Sequence, residues 1–248
     1  MVANFAVERV GGSSTIRIDR PAKKNALTPD MFVELGELLN SESASGATAV
    51  VLTGGPEIFS AGADLGAIGN GDKDIEIDGL IADLVTTITG LQIPVIAAIE
   101  GACVGAAVEV ALSCDVRVVS RTSYFSMPVT RLGILYRPDG IANILSNVGL
   151  ETATRLLVLG ERISGEAAGQ ARIASQVVEP SSTLDRALSL AKLAEENVPA
   201  AVSATKSLLR ELSTSKVDLM DFEFVRRALL RSEARIQAVA DLQERLGR

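Results

Sequence analysis

Two short stretches of small residues are the clearest candidates for chemistry in this sequence. The first is Ala-Gly-Ala at residues 61–63, and the second is the step from Gly105 to Ala106. Because bulky side chains are missing there, the backbone N–H groups of Ala63 and Ala106 can both approach one ligand oxygen. Two such donors would form an oxyanion hole, which stabilises the negative charge that develops on a carbonyl oxygen.

Glu109 is the candidate for proton transfer. It follows Gly105 by four positions, about one helical turn, so its carboxylate can face the same pocket as the Ala106 N–H. Its apolar neighbours Val108 and Val110 argue against a fully exposed position. Burial would raise the pKa of Glu109 toward the range that is useful for general acid–base catalysis.

The composition excludes several other kinds of catalytic site. The sequence contains no histidine, which removes Ser-His-Asp and Cys-His sites as well as His-ligated zinc. Its two cysteines, Cys103 and Cys114, form no CxxC pair, and this indicates buried thiols rather than a disulfide framework or a metal site. We therefore predict no metal site.

Charge and hydropathy indicate a protein that binds neither nucleic acid nor a membrane. There are 24 Lys and Arg against 31 Asp and Glu, a net charge of −7, and the aromatic residues are 6 Phe and 2 Tyr with no Trp. The longest uncharged run, residues 84–99, is shorter than the roughly 18 apolar residues of a spanning helix. No secretory signal is visible at the start. We therefore expect a cytoplasmic location.

The first elements are predicted to be a hairpin and a helix. Apolar and polar residues alternate on both sides of Gly11 and Gly12, a pattern that favours two antiparallel strands. Thr28 and Pro29 then provide an N-cap and a first-turn proline, so we expect a helix over residues 31–39.

Two short apolar runs, residues 49–53 and 94–99, predict strands that are buried on both faces, and residues 116–119 predict a third strand. Helical patterns lie between them, over residues 75–91 and through Glu109. This alternation predicts an α/β fold with a parallel sheet and right-handed crossovers. The two small-residue stretches follow the first two of these strands, at the sheet edge where ligands bind.

From about Gly149 the strand signals stop and helical patterns dominate. Helices are expected over residues 184–194, from Pro199 onward, and as one continuous helix from Phe222 to Val239. Such a helical layer covers either its own sheet or a neighbouring subunit, and the sequence leaves both arrangements open.

Several segments occur in an order that resembles the crotonase, or enoyl-CoA hydratase/isomerase, superfamily. They are residues 20–27 (RPAKKNAL), 59–65 (FSAGADL), 100–109 (EGACVGAAVE), 163–168 (ISGEAA) and 199–206 (PAAVSATK). The second segment is similar to the FxAGADL signature of that family, and the third to its second glycine-rich turn and helix. The resemblance extends over nearly the whole chain.

The resemblance implies an α/β fold with a repeated ββα spiral core over residues 1–190. It also implies a C-terminal helical trimerisation region over residues 191–248, which assembles the chain into a homotrimer or a dimer of trimers. The substrate would be an acyl-CoA thioester. Coenzyme A would thus enter as part of the substrate, and no separate cofactor is expected.

The same resemblance implies roles for individual residues. The N–H groups of Ala63 and Ala106 would hold the thioester oxygen and stabilise an enolate. Glu109 aligns with the first of the two catalytic glutamates of the hydratases. Coenzyme A would be lined by Lys24, Ala26, Ala61, Ala63, Asp64 and Leu65.

The sequence departs from the hydratase pattern at the second glutamate, where Val129 follows Pro128. One replacement is Tyr136, in a segment similar to decarboxylases that act on methylmalonyl-CoA, where a tyrosine helps to hold the substrate carboxylate. Those enzymes carry a histidine where this chain has Ala63. Asp139 is the other replacement, although Pro-Asp-Gly is also typical of a turn.

Three functions therefore stay open. The first is an enoyl-CoA hydratase or isomerase that uses Glu109 as its general acid and base. The second is a methylmalonyl-CoA-type decarboxylase that uses Tyr136, because decarboxylation requires an oxyanion hole and a held carboxylate but no base. The third is a non-catalytic acyl-CoA-binding homologue that has lost the second glutamate.

Overall fold

The computed structural model describes residues 4–67, 71–214 and 219–245. The chain forms two compact units, Met1–Glu195 and Glu196–Arg248. The strands are β1 (Phe5–Val10), β2 (Ser13–Ile18), β3 (Ala49–Thr53), β4 (Ile58–Ser60), β5 (Val95–Ile99), β6 (Ala102–Val104), β7 (Val116–Ser120), β8 (Tyr124–Ser126), β9 (Ile163–Ser164) and β10 (Gln176–Val178). The helices are α1 (Pro29–Ala44), α2 (Gly71–Gly90), α3 (Ala106–Ser113), α4 (Pro138–Ala153), α5 (Gly165–Ala168) and α6 (Thr183–Glu195) in the first unit, and α7 (Pro199–Thr214), α8 (Leu219–Leu230) and α9 (Glu233–Arg245) in the second.

A six-stranded sheet forms the centre of the first unit, in the order β1-β2-β3-β5-β7-β10. β1 and β2 are antiparallel and form the predicted hairpin, whereas the following neighbours are parallel. Every residue of β3 and β5 is buried, as the apolar runs indicated. Successive side chains point to opposite faces of a strand, so Val50 and Leu52 join one apolar core and Val51 joins the other.

A second sheet consists of short strands in the order β4-β6-β8-β9. The chain passes through the first sheet, the second sheet and a helix three times, as β3-β4-α2, β5-β6-α3 and β7-β8-α4. This repetition confirms the predicted ββα core. Because β4 and β6 are parallel neighbours, the loops that follow them leave the same edge of the sheet.

Apolar cores lie on both faces of the central sheet. Residues of α1, α2 and α3 share one core with β3 and β5. On the other face, Ala187 and Ala191 of α6 pack with Val51 and Ile96. The predicted start of α1 is confirmed, since Thr28 Oγ1 accepts a hydrogen bond from the Met31 N–H at 3.4 Å.

A buried asparagine fixes the turn that precedes α1. Lys24 and Asn25 have φ angles of 52° and 55°, a conformation that asparagine tolerates better than most residues. Asn25 Nδ2 donates hydrogen bonds to the carbonyl oxygens of Gly54 (2.7 Å) and Ile58 (3.0 Å), and its Oδ1 accepts one from the Arg20 N–H (3.0 Å). The Lys24 segment is thereby attached to the loop between β3 and β4.

The expectation that strands end before residue 149 is wrong. β9 and β10 lie beyond that point, and each belongs to one of the two sheets. They contain two and three residues respectively, which is too short to produce a visible alternation of apolar and polar residues.

The expectation of one continuous helix from Phe222 to Val239 is also wrong. The chain leaves α8 and enters α9 at Ser232, whose Oγ accepts a hydrogen bond from the Arg235 N–H at 3.2 Å. A serine in this position competes with the helical hydrogen bonds and caps the next helix. The apolar spacing continues across the break and therefore did not reveal it.

We expect Asn25→Ala to lower the free energy of unfolding by roughly 3 kcal/mol, because it leaves buried backbone groups without partners. Urea denaturation of the purified protein would measure the loss. The matched control is Asn40→Ala at an exposed position of α1, which should change stability by less than about 0.5 kcal/mol. Equal effects of the two substitutions would contradict the role given to Asn25.

Candidate active site

A close contact between two backbone segments builds the site. Gly62 has a φ of 86° and lies in the loop after β4. A Cβ at this position would collide with the Val104 carbonyl oxygen and lie 3.0 Å from the Ala106 nitrogen. Only glycine therefore allows the loop after β4 to touch the start of α3.

Beside this contact, Ala63 and Ala106 each carry a backbone N–H that is available as a donor. Leu27 N donates to Gly62 O and Asp64 N donates to Leu27 O, each at 2.8 Å, so the intervening Ala63 N–H faces away from Leu27. Ala106 is the first residue of α3, where a helical N–H has no partner within the helix. Among the described residues, neither N–H donates a hydrogen bond to another protein atom.

The cavity has a volume of about 590 Å³. Its wall includes Ala63 and Ala106, together with Tyr136 and Val129. All the residues predicted to contact coenzyme A lie on it: Lys24, Ala26, Ala61, Ala63, Asp64 and Leu65. The structure thus brings the predicted backbone donors and the predicted binding residues into one space.

Asp64 supports the loop and is not free to react. Arg20 Nη1 donates to its carboxylate at 2.6 Å, and the Gly66 N–H donates to it at 3.0 Å. These hydrogen bonds, the one from Arg20 first, hold the pKa of Asp64 below its ordinary value. Asp64 thereby connects Arg20 to the backbone of its own loop at Gly66.

Glu109 lies behind the cavity wall. Its side chain has no exposed surface, and it is not among the residues that line the cavity. Tyr136 Oη donates a hydrogen bond to Glu109 Oε2 at 2.5 Å, and Arg137 Nη2 contacts Oε1 at 2.5 Å. Tyr136 lines the cavity and therefore connects it to the Glu109 carboxylate.

Burial and charge shift the pKa values of this pair. Burial raises the pKa of Glu109 despite the hydrogen bond from Tyr136 and the charge of Arg137. Burial, reinforced by the Glu109 carboxylate, raises the pKa of Tyr136 well above its ordinary value. Gly140 leaves the space that this pair occupies, because a Cβ there would lie 2.8 Å from the Tyr136 ring and 3.1 Å from Glu109 Oε1.

Asp139 does not occupy the position of a second catalytic carboxylate. It is not among the residues that line the cavity, its side chain is 64% exposed, and Arg137 binds it at 3.1 Å. Although burial acts in the opposite direction, the hydrogen bond and charge of Arg137 lower the pKa of Asp139. The turn expected here is wrong as well, because Pro138 begins α4 and Asp139 lies in its first turn.

Two aspartates on the cavity wall were missed by the sequence analysis. Asp74 and Asp78 of α2 line the cavity together with Ile77 and Ile81. They belong to an acidic stretch at the start of α2 that also contains Asp72 and Glu76, a composition typical of a solvated helix end. The available signal was their spacing, since residues 74, 77, 78 and 81 share one helical face, and carboxylates are rare on an apolar face.

Outside the cavity the described residues offer few candidates. Cys103 and Cys114 are both buried, as predicted. Within the described ranges, no cluster of three or more acidic or thiol side chains is arranged to hold a metal ion. None of the helices in that part of the chain is long and apolar enough to cross a membrane.

Comparison with known proteins identifies the family of this chain. A profile of the enoyl-CoA hydratase/isomerase family matches residues 8–237. The chain belongs to this family. It is 32% identical to 2,3-dehydroadipyl-CoA hydratase of Escherichia coli (strain K12) over 197 residues, 79% of this chain and 77% of that protein. It is 30% identical to short-chain-enoyl-CoA hydratase of Clostridium acetobutylicum over 223 residues, 87% of this chain and 84% of that protein.

The same family contains solved structures with this fold. The enoyl-CoA hydratase from Bacillus anthracis superimposes with a TM-score of 0.89 at 25% identity, covering 98% of this chain and 97% of that one. The predicted crotonase-like fold is thereby confirmed. The enoyl-CoA hydratase/isomerase family is a family of enzymes that act on acyl-CoA, whereas the roles given above to single residues stay predictions.

The pair formed by Tyr136 and Glu109 should be visible in a titration. The chain contains two tyrosines, so Tyr124→Phe leaves Tyr136 alone and keeps a ring beneath Arg162, which lies 4.1 Å from the ring centre. In this background we expect Tyr136 to ionise above the ordinary pKa of about 10. Adding Glu109→Gln should bring the pKa down, because a charge that opposes phenolate formation is removed.

The measurement is the ultraviolet absorbance of the phenolate against pH, with circular dichroism to show that the protein stays folded. Glu37→Gln, an exposed change on α1, is the control and should leave the titration unchanged. A Tyr136 pKa that does not respond to Glu109→Gln would show that the two groups are not paired.

Proposed function

We propose that the protein hydrates or isomerises an enoyl-CoA thioester through an enolate held in the cavity. The observation that carries the proposal is the pair of unused N–H groups of Ala63 and Ala106, two residues that line one cavity beside the Gly62 contact. Donors fixed before the reaction stabilise a developing oxyanion without reorganisation. The helix that begins at Ala106 adds positive partial charge at the same point.

Coenzyme A would enter where Lys23 and Lys24 line the cavity. Both lysines are exposed, so their ammonium groups are available to the CoA phosphates despite the acidic net charge of the protein. The backbone near Ala26 and Leu65 would contact the rest of the cofactor portion. Coenzyme A is part of the substrate in this proposal, and no separate cofactor is needed.

Proton transfer would involve Glu109 and Tyr136 together. Because Tyr136 lines the cavity and its Oη hydrogen-bonds to the buried Glu109, a proton exchanged with the substrate would pass through this hydroxyl. Tyr136 then gives a proton to C2 of the enolate, and Glu109 holds the hydroxyl in position and replaces its proton. Burial raises the pKa of Glu109, and this is the direction that favours a carboxyl group as a proton donor.

A methylmalonyl-CoA-type decarboxylase is the second candidate. Tyr136 lies on the cavity wall, as that function requires. However, this hydroxyl hydrogen-bonds to Glu109, and the Glu109 carboxylate would repel a second carboxylate placed at the same hydroxyl. Asp74 and Asp78 on the same wall would also repel a negatively charged acyl group. The enoyl substrate, which carries no such charge, fits the wall better.

The second unit supports the proposal of a homotrimer or a dimer of trimers. It contains an apolar cavity of about 540 Å³ lined by residues such as Leu208, Phe222 and Leu229. Phe224 and Ile236 are 78% and 57% exposed. Apolar surface of this kind is typical of an interface with another subunit.

The proposed reaction is tested with crotonyl-CoA and with butyryl-CoA. The wild-type protein should hydrate crotonyl-CoA, followed by loss of enoyl absorbance, and should exchange the C2 protons of butyryl-CoA in D₂O, which requires an enolate. We expect Glu109→Gln to lower kcat for both reactions by about 100- to 10,000-fold with little change in KM. Full activity of this variant would contradict the role of Glu109.

Lys24→Ala provides the complementary result, because it should raise KM for either substrate and leave kcat nearly unchanged. Methylmalonyl-CoA is the discriminating substrate for the second candidate function. Release of carbon dioxide without hydration of crotonyl-CoA would establish the decarboxylase. Binding of acyl-CoA without any of these reactions would establish the non-catalytic homologue.

A further inference from the structure

Asp78 places a carboxylate on the wall of the acyl-CoA cavity. It is half-buried on α2 and lines the cavity together with Tyr136 and Ala106. Asp64 and Asp139 are each bound by an arginine. Among the described residues, by contrast, none donates a hydrogen bond to Asp78 or forms an ion pair with it. Its carboxylate is therefore available to a molecule in the cavity.

Asp78 supplies a proton-accepting carboxylate, which the cavity wall lacks at Val129. Val129 lines the same cavity and has no group that exchanges protons. Tyr136 and Glu109 together form one proton-transfer route. Addition of water to a double bond requires two proton transfers, because one proton is taken from the water and another is delivered to C2. Asp78 reaches the same space from a different helix, so it can perform the second step.

The surroundings of Asp78 adjust its basicity. Burial raises its pKa, and the charge of Arg137 partly opposes this shift, whereas Asp139 and Asp74 reinforce it. Tyr136 faces the same group and is itself affected by its charge. A carboxylate whose pKa is raised above its ordinary value is a stronger base toward water.

We propose that Asp78 is the general base for the water that adds to the enoyl double bond, an inference that rests on the proposed function. Asp78 takes one proton from the water while the water oxygen bonds to C3. The electron pair of the C2–C3 double bond moves to form the enolate on the thioester oxygen, held by Ala63 and Ala106. The enolate then takes the Tyr136 proton at C2. Asp78 returns its proton to solvent, and Tyr136 with Glu109 regains one, so the net change is addition of one water molecule.

The test is hydration of crotonyl-CoA by Asp78→Asn, which keeps the shape of the side chain but cannot accept a proton. We expect kcat to fall about 100- to 10,000-fold with KM nearly unchanged. The acid limb of the wild-type pH profile, where rate falls as Asp78 becomes protonated, should disappear in this variant. Asp78→Glu should recover part of the activity. Asp83→Asn, on the exposed side of the same helix, should behave as wild type.

Exchange of the C2 protons of butyryl-CoA separates this proposal from the one it rests on. It depends on Ala63, Ala106 and Tyr136 but not on an attacking water, so Asp78→Asn should retain it at nearly the wild-type rate. Hydration by Asp78→Asn at the wild-type rate would overturn the role of Asp78 alone. Failure of the wild-type protein in both hydration and exchange would overturn the proposed function instead.

Discussion

The contact at Gly62 is the constraint on which the rest of the site depends. Two segments from different ββα repeats approach so closely that a methyl group at this position would meet the Val104 carbonyl oxygen and the Ala106 nitrogen. The parallel pairing of β4 with β6 brings the segments to one edge, and the positive φ of Gly62 turns the chain there. The two donors are therefore held by the sheet itself, which makes their spacing a property of the fold.

Burial of Glu109 imposes a second constraint. An ionised carboxylate without contact to water is costly unless it is paired and hydrogen-bonded. Arg137 and Tyr136 supply the pairing and the hydrogen bond from the segment that leads into α4. Gly140 in the first turn of that helix leaves the space that the Tyr136 ring occupies. The buried carboxylate of Glu109 on α3 thus depends on partners from the segment just before α4.

The sequence allowed prediction of those features that depend on nearby residues. The hairpin, the N-cap at Thr28 and the strands buried on both faces each follow from a few adjacent positions. The pairing of Glu109 with Arg137 could not be predicted, because the residues are 28 positions apart and meet only through packing of α3 against α4. Asp78 was missed because a carboxylate near the start of a helix is ordinarily solvated, and only the fold shows that this face borders a cavity. The break at Ser232 was hidden because the apolar spacing runs through it.

Arg137 joins a carboxylate with no exposed surface to one that is mostly in solvent, since it binds both Glu109 and Asp139. Dissolved ions screen charges at the surface far more strongly than charges in the interior. Higher ionic strength therefore weakens the ion pair between Arg137 and Asp139 and leaves the ion pair between Arg137 and Glu109 almost unchanged. Raising the salt concentration therefore shifts the balance between the two ion pairs of Arg137 toward the buried one with Glu109.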